Sequence, residues 1–316
     1  NEIIKVLLVS QHNWRKLLFG ASSRDFIWRT LFLIFAIITS SVILFIFIDV
    51  WRESFPALIA LGPQLFGSVW DPTITHQYGI SVFIVGTLCV TAFSLLIAIP
   101  LGIGGALFLA EYSPARLKEP LRMVLILMAG LPSIIYGLWG LYSLIPFLRN
   151  LISSIPGLEW YSGFGILPAS IVLAIMLLPT IVAVSYDAMQ MVPDTLREAS
   201  YALGASRTET SVKVVLFTAL PGVGAAVLLS LGRAIGETMA VLLVTGNSAQ
   251  FPTSIFSQVY VMTSVIANQL GLAIGGYPLM QSALFVVALI LLIISMLFSF
   301  VAKLIVRWGM RKQGLT

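Results

Sequence analysis

Long stretches without a charged side chain constrain this sequence more than any other feature. A helix needs about 20 apolar residues to cross the roughly 30 Å hydrocarbon core of a bilayer. Only 10% of the residues are charged and 59% are hydrophobic, more apolar surface than a soluble domain can bury. The stretches are Leu31–Ile48, Ile80–Ala110, Met123–Leu148, Trp160–Tyr186, Val214–Thr245 and Ser282–Ala302. The sequence therefore predicts an all-α membrane protein with six transmembrane helices.

The positions of Lys and Arg predict the orientation of these spans. Fifteen of the 18 basic residues fall before the first span, after the last one, or in alternate loops between them. Cytoplasmic loops carry such an excess, so we expect both termini in the cytoplasm. We take residues 1–316 as a single transmembrane domain with a cytoplasmic N-terminal segment, 1–26. The net charge of +5 follows from this asymmetry and does not indicate nucleic-acid binding.

Two kinds of irregularity are expected within this pattern. Leu131-Pro132 and Leu178-Pro179 predict kinks or the ends of shorter helices, because proline cannot donate to the helical ladder. The outer segment 246–281 has no charged residue, yet it is too polar for a clean span. Within it, Ser254–Leu270 is expected to form a short interfacial helix or a re-entrant piece.

The sequence lacks the usual signatures of a catalytic or metal centre. Cys89 is the one cysteine, and His12 and His76 are too far apart for ligand spacing. No GxxxxGK[ST], HExxH or GxSxG motif is present. We therefore predict no catalytic residue, no metal and no cofactor in this chain, so any energy for active transport must come from a partner or an ion gradient.

A cytoplasmic loop before the fifth span, about residues 190–215, has a compact helix–turn pattern. Asp194 or Thr195 can cap the start of a helix, and Gly204 can end it. A short helix at a membrane surface can fit the groove of a partner protein. It can equally be an ordinary interfacial connection, and the residues alone leave both interpretations open.

Two charged residues lie inside the fifth apolar stretch. Arg233 and Glu237 are four residues apart, so a continuous helix would place them on one face. Each charge costs roughly 2.5–3.5 kcal/mol at mid-membrane by insertion scales. They are either a mutually neutralising structural pair or part of an anion pathway, for which arginine is the preferred residue.

The loop carries a family resemblance. Glu198-Ala199-Ser200 followed by Gly204 resembles the EAA loop of ABC importer permeases. The resemblance implies that Glu198, Ala199 and Gly204 contact a cytoplasmic ATPase dimer, which binds the ATP. The sequence departs from the family pattern at Ser200, and it has Leu216-Phe217 where the family has Leu-Pro.

The fifth stretch, Gly-Arg-Ala-Ile-Gly-Glu-Thr-Met-Ala-Val from Gly232 to Val241, resembles the phosphate-specific branch of these permeases, the PstC and PstA type, and is closer to PstC. Residues 131–137 and 174–179 resemble the same branch. The resemblance implies a phosphate importer in which Arg233 and Glu237 line the substrate pathway. It also implies a second, PstA-like permease, an extracytoplasmic phosphate-binding protein and a lipid bilayer as partners, and no nucleic acid.

Other functions remain open at this point. The transported anion could be sulfate, molybdate or an organophosphate. A membrane enzyme would show clustered His, Asp or Glu at one depth, and a channel would need no partner loop. A scaffold that signals phosphate status would bind the same partners and transport nothing.

Overall fold

The computed structural model describes residues 23–154, 160 and 162–312. Most of the predicted cytoplasmic segment 1–26 lies outside these residues. The described chain is dominated by helices, several of which contain a wider π-helical turn. In chain order they are α1 (Ser23–Leu61), α2 (Ser81–Tyr112), α3 (Ala115–Ala129), α4 (Ser133–Ser153), α5 (Ile166–Gln190), α6 (Asp194–Ala202), α7 (Arg207–Gly236), α8 (Met239–Val244), α9 (Met262–Ile274) and α10 (Pro278–Lys312).

The predicted all-α membrane fold is confirmed. Within the described residues, five helices are long and apolar enough to span a membrane, and α3 with α4 makes a sixth span if that bent pair crosses once. The bounds differ from the predicted ones because several helices extend beyond the apolar stretch. The fifth span instead ends early, since α7 stops at Gly236 and not near Thr245. The cytoplasmic placement of both termini stays a prediction.

The chain divides into two compact units, one up to Arg52 and one from Glu53 onward. In the first unit, the apolar side chains of α1 are exposed, Phe45 to 68%, and hydrocarbon is the medium that accepts such a surface. The second unit holds all the remaining helices. The prediction of a single domain over residues 1–316 stays a prediction.

The core of the second unit forms where long helices pack side by side. Helix α2 packs along α5, and α7 packs against both α5 and α10. Close approach depends on small residues: a Cβ added at Gly102 would lie 2.6 Å from Ile181 Cγ2, and one added at Gly222 would lie 2.3 Å from Ala188 Cβ. Small residues at helix contacts are the usual means of association in lipid, where burial alone gives little driving force.

The two proline sites predicted to interrupt helices behave differently. Helices α3 and α4 meet at an angle of 94° on either side of Leu131 and Pro132, as predicted. The Tyr136 hydroxyl donates to the Met128 carbonyl oxygen across the bend, at 2.7 Å, and so replaces part of the lost backbone pairing. Helix α5 instead continues through Pro179 to Gln190. Of the two outcomes predicted at that site, the helix end is therefore wrong, and the kink stays a prediction.

The uncharged outer segment folds back into the protein. Helix α9 begins only at Met262, so the helix predicted from Ser254 starts eight residues too early. The residues before it have an irregular, partly extended backbone, and Val259 is fully buried. The carbonyls of Ser257 and Ile255 accept hydrogen bonds from the N–H groups of Ile166 and Leu167, at 3.1 and 3.0 Å. The segment thereby satisfies the unpaired first donors of α5.

A two-stranded antiparallel hairpin, β1 (Trp70–Asp71) and β2 (Gln77–Tyr78), precedes α2 at the end opposite Tyr112. The Trp70 indole donates to Gln269 Oε1 at 2.7 Å, which fixes the hairpin against α9. The turn projects Ile74, which is 81% exposed.

Two glycines of α2 test the packing of this core. Alanine favours an α-helix over glycine by about 1 kcal/mol, and the Cβ of Gly104→Ala would meet no atom within 4 Å. Gly102→Ala would collide with Ile181, and overpacking typically costs 1–3 kcal/mol. We expect Gly102→Ala to lower the thermal unfolding midpoint in detergent and Gly104→Ala to leave it unchanged or raise it. Equal midpoints for the two variants would contradict the close packing of α2 on α5.

Candidate functional site

Helix α6 is a short helix between the two long helices α5 and α7. It begins at Asp194, and Pro193 occupies the capping position with extended backbone angles and no side-chain hydrogen bond. The predicted cap at Asp194 or Thr195 is therefore wrong. Pro193 ends the preceding turn instead, because proline disfavours helical geometry in the residue before it.

The end of α6 has the predicted glycine. Gly204 has φ of +84°, a conformation that residues with a Cβ rarely adopt. Its N–H donates to Tyr201 O at 2.9 Å, and the N–H of Ala205 donates to Ser200 O at 3.2 Å. This pair of bonds is the Schellman motif that closes many helices. The sharp turn brings the chain directly to the start of α7.

Helix α7 starts with a capping box. The Ser206 hydroxyl accepts from the Glu209 N–H, while the Glu209 carboxylate accepts from the Ser206 N–H. The hydroxyls of Ser200 and Thr210 lie 2.8 Å apart and join α6 to α7 at the turn. The predicted short helix, turn and second helix are all present.

Arg197, in the middle of α6, has a partner for each of its five N–H donors. Nε and one Nη donate to Glu111 Oε1 at 3.2 and 3.1 Å. The others donate to Asp194 and to the carbonyl oxygens of Val192 and Met189. The side chains of Arg197 and Glu111 are 15% and 8% exposed. This ion pair therefore connects α6 with the end of α2 under considerable desolvation.

A second group of contacts joins α2 to α7 beside this ion pair. The Arg207 guanidinium lies over the Tyr112 ring, 4.9 Å from its centroid, and donates to the Glu111 carbonyl. The Tyr112 hydroxyl donates to Thr208 Oγ1 at 3.2 Å. A polar cleft of about 400 Å³ opens next to these residues, between the ends of α2 and α5 and the starts of α3 and α6. The end of α2, α6 and the start of α7 thus form one connected group.

Sequence reasoning missed Arg197 and Glu111 as a pair. The available signal was that Glu111 is the first charge after an apolar run that begins at Ile80. Nothing in the local sequence identifies a partner 86 residues away.

Arg233 and Glu237 do not share a helix face, which corrects the prediction. Helix α7 ends at Gly236, and Glu237 has an extended backbone, with φ of −69° and ψ of 131°. Glu237 Oε1 accepts instead from the N–H of Ala240 in α8, at 3.1 Å. Within the described part of the chain, no ion pair joins Glu237 to Arg233, so the two do not form the mutually neutralising pair that the sequence allowed.

Arg233 lies half-buried in the last turn of α7. Among the described residues, its hydrogen bond is to the Thr180 hydroxyl of α5, at 3.4 Å. A guanidinium has five N–H donors, so most of them are left for water or a ligand. An arginine with spare donors and no neighbouring carboxylate is suited to bind an oxyanion.

The interruption at Glu237 is supported by the outer segment. Thr263 Oγ1 donates to the Glu237 carbonyl at 2.7 Å, and Ser264 Oγ lies 3.5 Å from the Thr238 carbonyl. A cavity of about 10 Å³, lined by Glu237, Thr87 and Thr263 among others, lies beside the break, close to the volume that one water molecule needs. The break is thus a polar site inside the helix bundle.

Comparison with known proteins places this arrangement in a family. Residues 98–310 match the model of the binding-protein-dependent transport system inner membrane component. The chain belongs to this family of permeases. The part matched covers the π turn of α2, helix α6 and the break at Glu237.

Relatives of this permease carry related names. It is 38% identical over 270 residues to the phosphate transport system permease protein PstC of Mesorhizobium japonicum, covering 81% of this chain and 82% of that protein. It is 37% identical to PstC of Haemophilus influenzae, over 80% and 83% of the two chains. It is 41% identical to a probable ABC transporter permease, YqgH, of Bacillus subtilis, over 72% of each. The resemblance to PstC-type permeases is confirmed.

Solved structures share the fold of this inner-membrane permease. A chain of the inward-facing MetNI methionine ABC transporter matches with a TM-score of 0.55 at 21% identity, over 73% of this chain and 97% of that one. A chain of a bacterial alginate ABC transporter in complex with its pentasaccharide-bound periplasmic protein matches with a TM-score of 0.57 at 17% identity, over 91% and 96%. The family is one of transport proteins and not of catalytic enzymes.

The left-handed turn at Gly204 can be tested by two substitutions. A β-branched residue at a positive φ is strained by roughly 1–2 kcal/mol, whereas asparagine tolerates the conformation. We expect Gly204→Val to open the turn, so that trypsin cuts faster after Arg207 in the detergent-solubilised permease, and Gly204→Asn to be cut at nearly the wild-type rate. Equal rates for the two variants would show that the turn does not require this geometry.

Proposed function

We propose that this chain is the permease subunit of an ATP-driven importer of inorganic phosphate and that Arg233 binds the anion during passage. The PstC names of the relatives support the substrate. The observation that carries the role of Arg233 is its membrane-embedded guanidinium, which the described chain leaves without a carboxylate partner and with one hydrogen bond. Arginine binds phosphate oxygens through several parallel N–H bonds.

Glu237 has a supporting role in this proposal. Its carboxylate accepts a hydrogen bond from the Ala240 N–H, and its carbonyl oxygen accepts from Thr263. These bonds hold the interruption between α7 and α8 open. A negative charge at this position also disfavours a fully ionised phosphate through like-charge repulsion.

We further propose that α6 contacts a cytoplasmic ATPase that binds and hydrolyses the ATP. No residue of α6 is completely buried. The side chain of Arg197 is largely buried, whereas Glu198, Ala199 and Gly204 are all exposed. Next to them, Leu203 is 89% exposed and Tyr201 44% exposed, an apolar surface outside the spans that a partner would cover. A second permease would complete the pore, and an extracytoplasmic phosphate-binding protein would deliver the anion.

The role of Arg233 can be measured by uptake of labelled phosphate and sulfate into proteoliposomes that contain the permeases, the ATPase and the binding protein. Loss of charge-assisted hydrogen bonds worth about 1.5–3 kcal/mol predicts that Arg233→Gln lowers phosphate uptake roughly 10- to 100-fold. Glu237→Gln keeps an acceptor for the Ala240 N–H and should lower phosphate uptake less than Glu237→Ala does. Arg122→Gln is the matched control, because Arg122 forms an exposed pair with Asp187.

The outcomes separate the alternatives. Unchanged uptake with Arg233→Gln, in a complex of normal composition, would contradict a pathway role for Arg233. Uptake of sulfate but not phosphate by the wild-type complex would identify another oxyanion. An assembled complex that hydrolyses ATP and moves neither anion would favour a sensing scaffold.

The contact with the ATPase predicts a loss of binding when a charge enters the apolar surface of α6. We expect Leu203→Glu to lower the amount of ATPase that copurifies with the permease by at least ten-fold. Ile74→Glu is the matched control, because Ile74 is similarly exposed but lies at the other end of α2. An equal amount of ATPase with both variants would contradict docking at α6.

A further inference from the structure

An ion pair ties helix α6 to the membrane helices, and the binding of an ATPase to the exposed side of α6 would not require that ion pair. The exposed side could bind a partner whether or not the other side were tied to the membrane helices. Yet Arg197 extends from α6 to Glu111 at the end of α2, and both side chains are largely buried. Removing one member of such a pair leaves an uncompensated buried charge, which is strongly destabilising.

The other contacts of Arg197 make it a fixed connection. Its guanidinium also donates to the carbonyl oxygens of Met189 and Val192, at 3.0 and 2.5 Å, which close the end of α5. One side chain therefore joins the end of α5, the middle of α6 and the end of α2. A lysine could not replace it, since a single ammonium cannot reach these acceptors with the same planar geometry.

Helix α2 connects this site with the break at Glu237. It runs without interruption from Ser81 to Tyr112, about 48 Å at 1.5 Å per residue. Near its other end, Thr87 Oγ1 accepts from the N–H of Met262 at 2.9 Å. The next residue, Thr263, donates to the Glu237 carbonyl. A displacement of α2 along its axis would therefore reach the backbone at Glu237.

A close backbone contact strengthens the outer end of this connection. A Cβ added at Gly86 would lie 2.6 Å from the Tyr260 carbonyl oxygen, so α2 and the segment that precedes α9 touch without an intervening side chain. Packed interiors have little compressibility and transmit such displacements.

We propose that Arg197 is a positioning residue, which through Glu111 transmits movement of the coupling helix α6 to α2 and so to the pathway at Glu237. The proposal rests on the proposed function of α6 as the ATPase contact. In this proposal Arg197 and Glu111 couple ATP hydrolysis to transport. They bind neither the ATPase nor the anion.

The test measures three quantities on the complete complex in proteoliposomes: the amount of ATPase bound, the rate of ATP hydrolysis and the number of phosphate ions imported per ATP. We expect Glu111→Ala to lower the number imported per ATP at least five-fold while the ATPase stays bound and active. Glu111→Gln keeps a neutral acceptor for Arg197 and should lose roughly half of the ratio. The number of phosphate ions imported per ATP by Arg197→Lys should be closer to that of Glu111→Ala than to that of the wild type.

The matched control is Lys213→Gln. It breaks the exposed pair between Lys213 and Glu209 in the same loop and should leave the ratio unchanged. The double variant Glu111→Ala with Arg197→Ala should lose less than the sum of the two single losses, because the effects of residues that share one contact are not additive.

Two results would overturn the proposal. One is a normal ratio in Glu111→Ala, with only the yield of folded complex reduced, which would make the pair structural. The other is additive losses in the double variant. If the wild-type permease binds no ATPase, the proposed role of α6 as the ATPase contact fails. If Arg233→Gln transports normally while Glu111→Ala uncouples, the proposed role of Arg233 fails and the coupling role of Arg197 and Glu111 stands.

Discussion

A backbone N–H or C=O group that faces hydrocarbon without a partner costs several kcal/mol, and the architecture of this permease follows from that cost. Continuous helices avoid this cost, because their backbone N–H and C=O groups bond to one another within the helix. Each interruption in the described chain has a specific hydrogen bond beside it. Tyr136 bonds across the bend between α3 and α4, and Thr263 and the Glu237 carboxylate bond at the break between α7 and α8. The outer segment does the same for the first turn of α5.

The polar groups that close these interruptions also set where the candidate functional residues lie. The break that ends α7 turns Glu237 away from Arg233, so the guanidinium keeps its donors for a ligand. The segment that supports the break also contacts α2, whose other end contacts α6. The hydrogen bonds that stabilise the break are thus the same ones that the proposed coupling would use.

The sequence predicted those features that are encoded locally. Uncharged stretches revealed the spans, because their transfer free energy from water to hydrocarbon is a property of the stretch itself. Pro132 marked the bend and Gly204 marked the end of α6, because each acts through its own backbone conformation. The break after Gly236 was not predictable from the spacing of Arg233 and Glu237, since it depends on Thr263, 26 residues further along the chain. The pairing of Arg197 with Glu111 was hidden for the same reason. Pro179 was misleading, because α5 accommodates it without ending.

The π-helical turns in the two long helices that contact α6 and its turn have a geometric consequence. One lies at the end of α2, Phe108–Tyr112, and another near the start of α7, Thr210–Leu216. A π turn accommodates an extra residue within a helix, and each residue of an α-helix advances the side chains by about 100° around the axis. The side of α7 on which Arg233 lies is therefore set by the residue count near Thr210–Leu216, several turns away from the guanidinium. Insertions or deletions there would rotate Arg233, the proposed anion ligand, to another side of α7 without altering any residue near it.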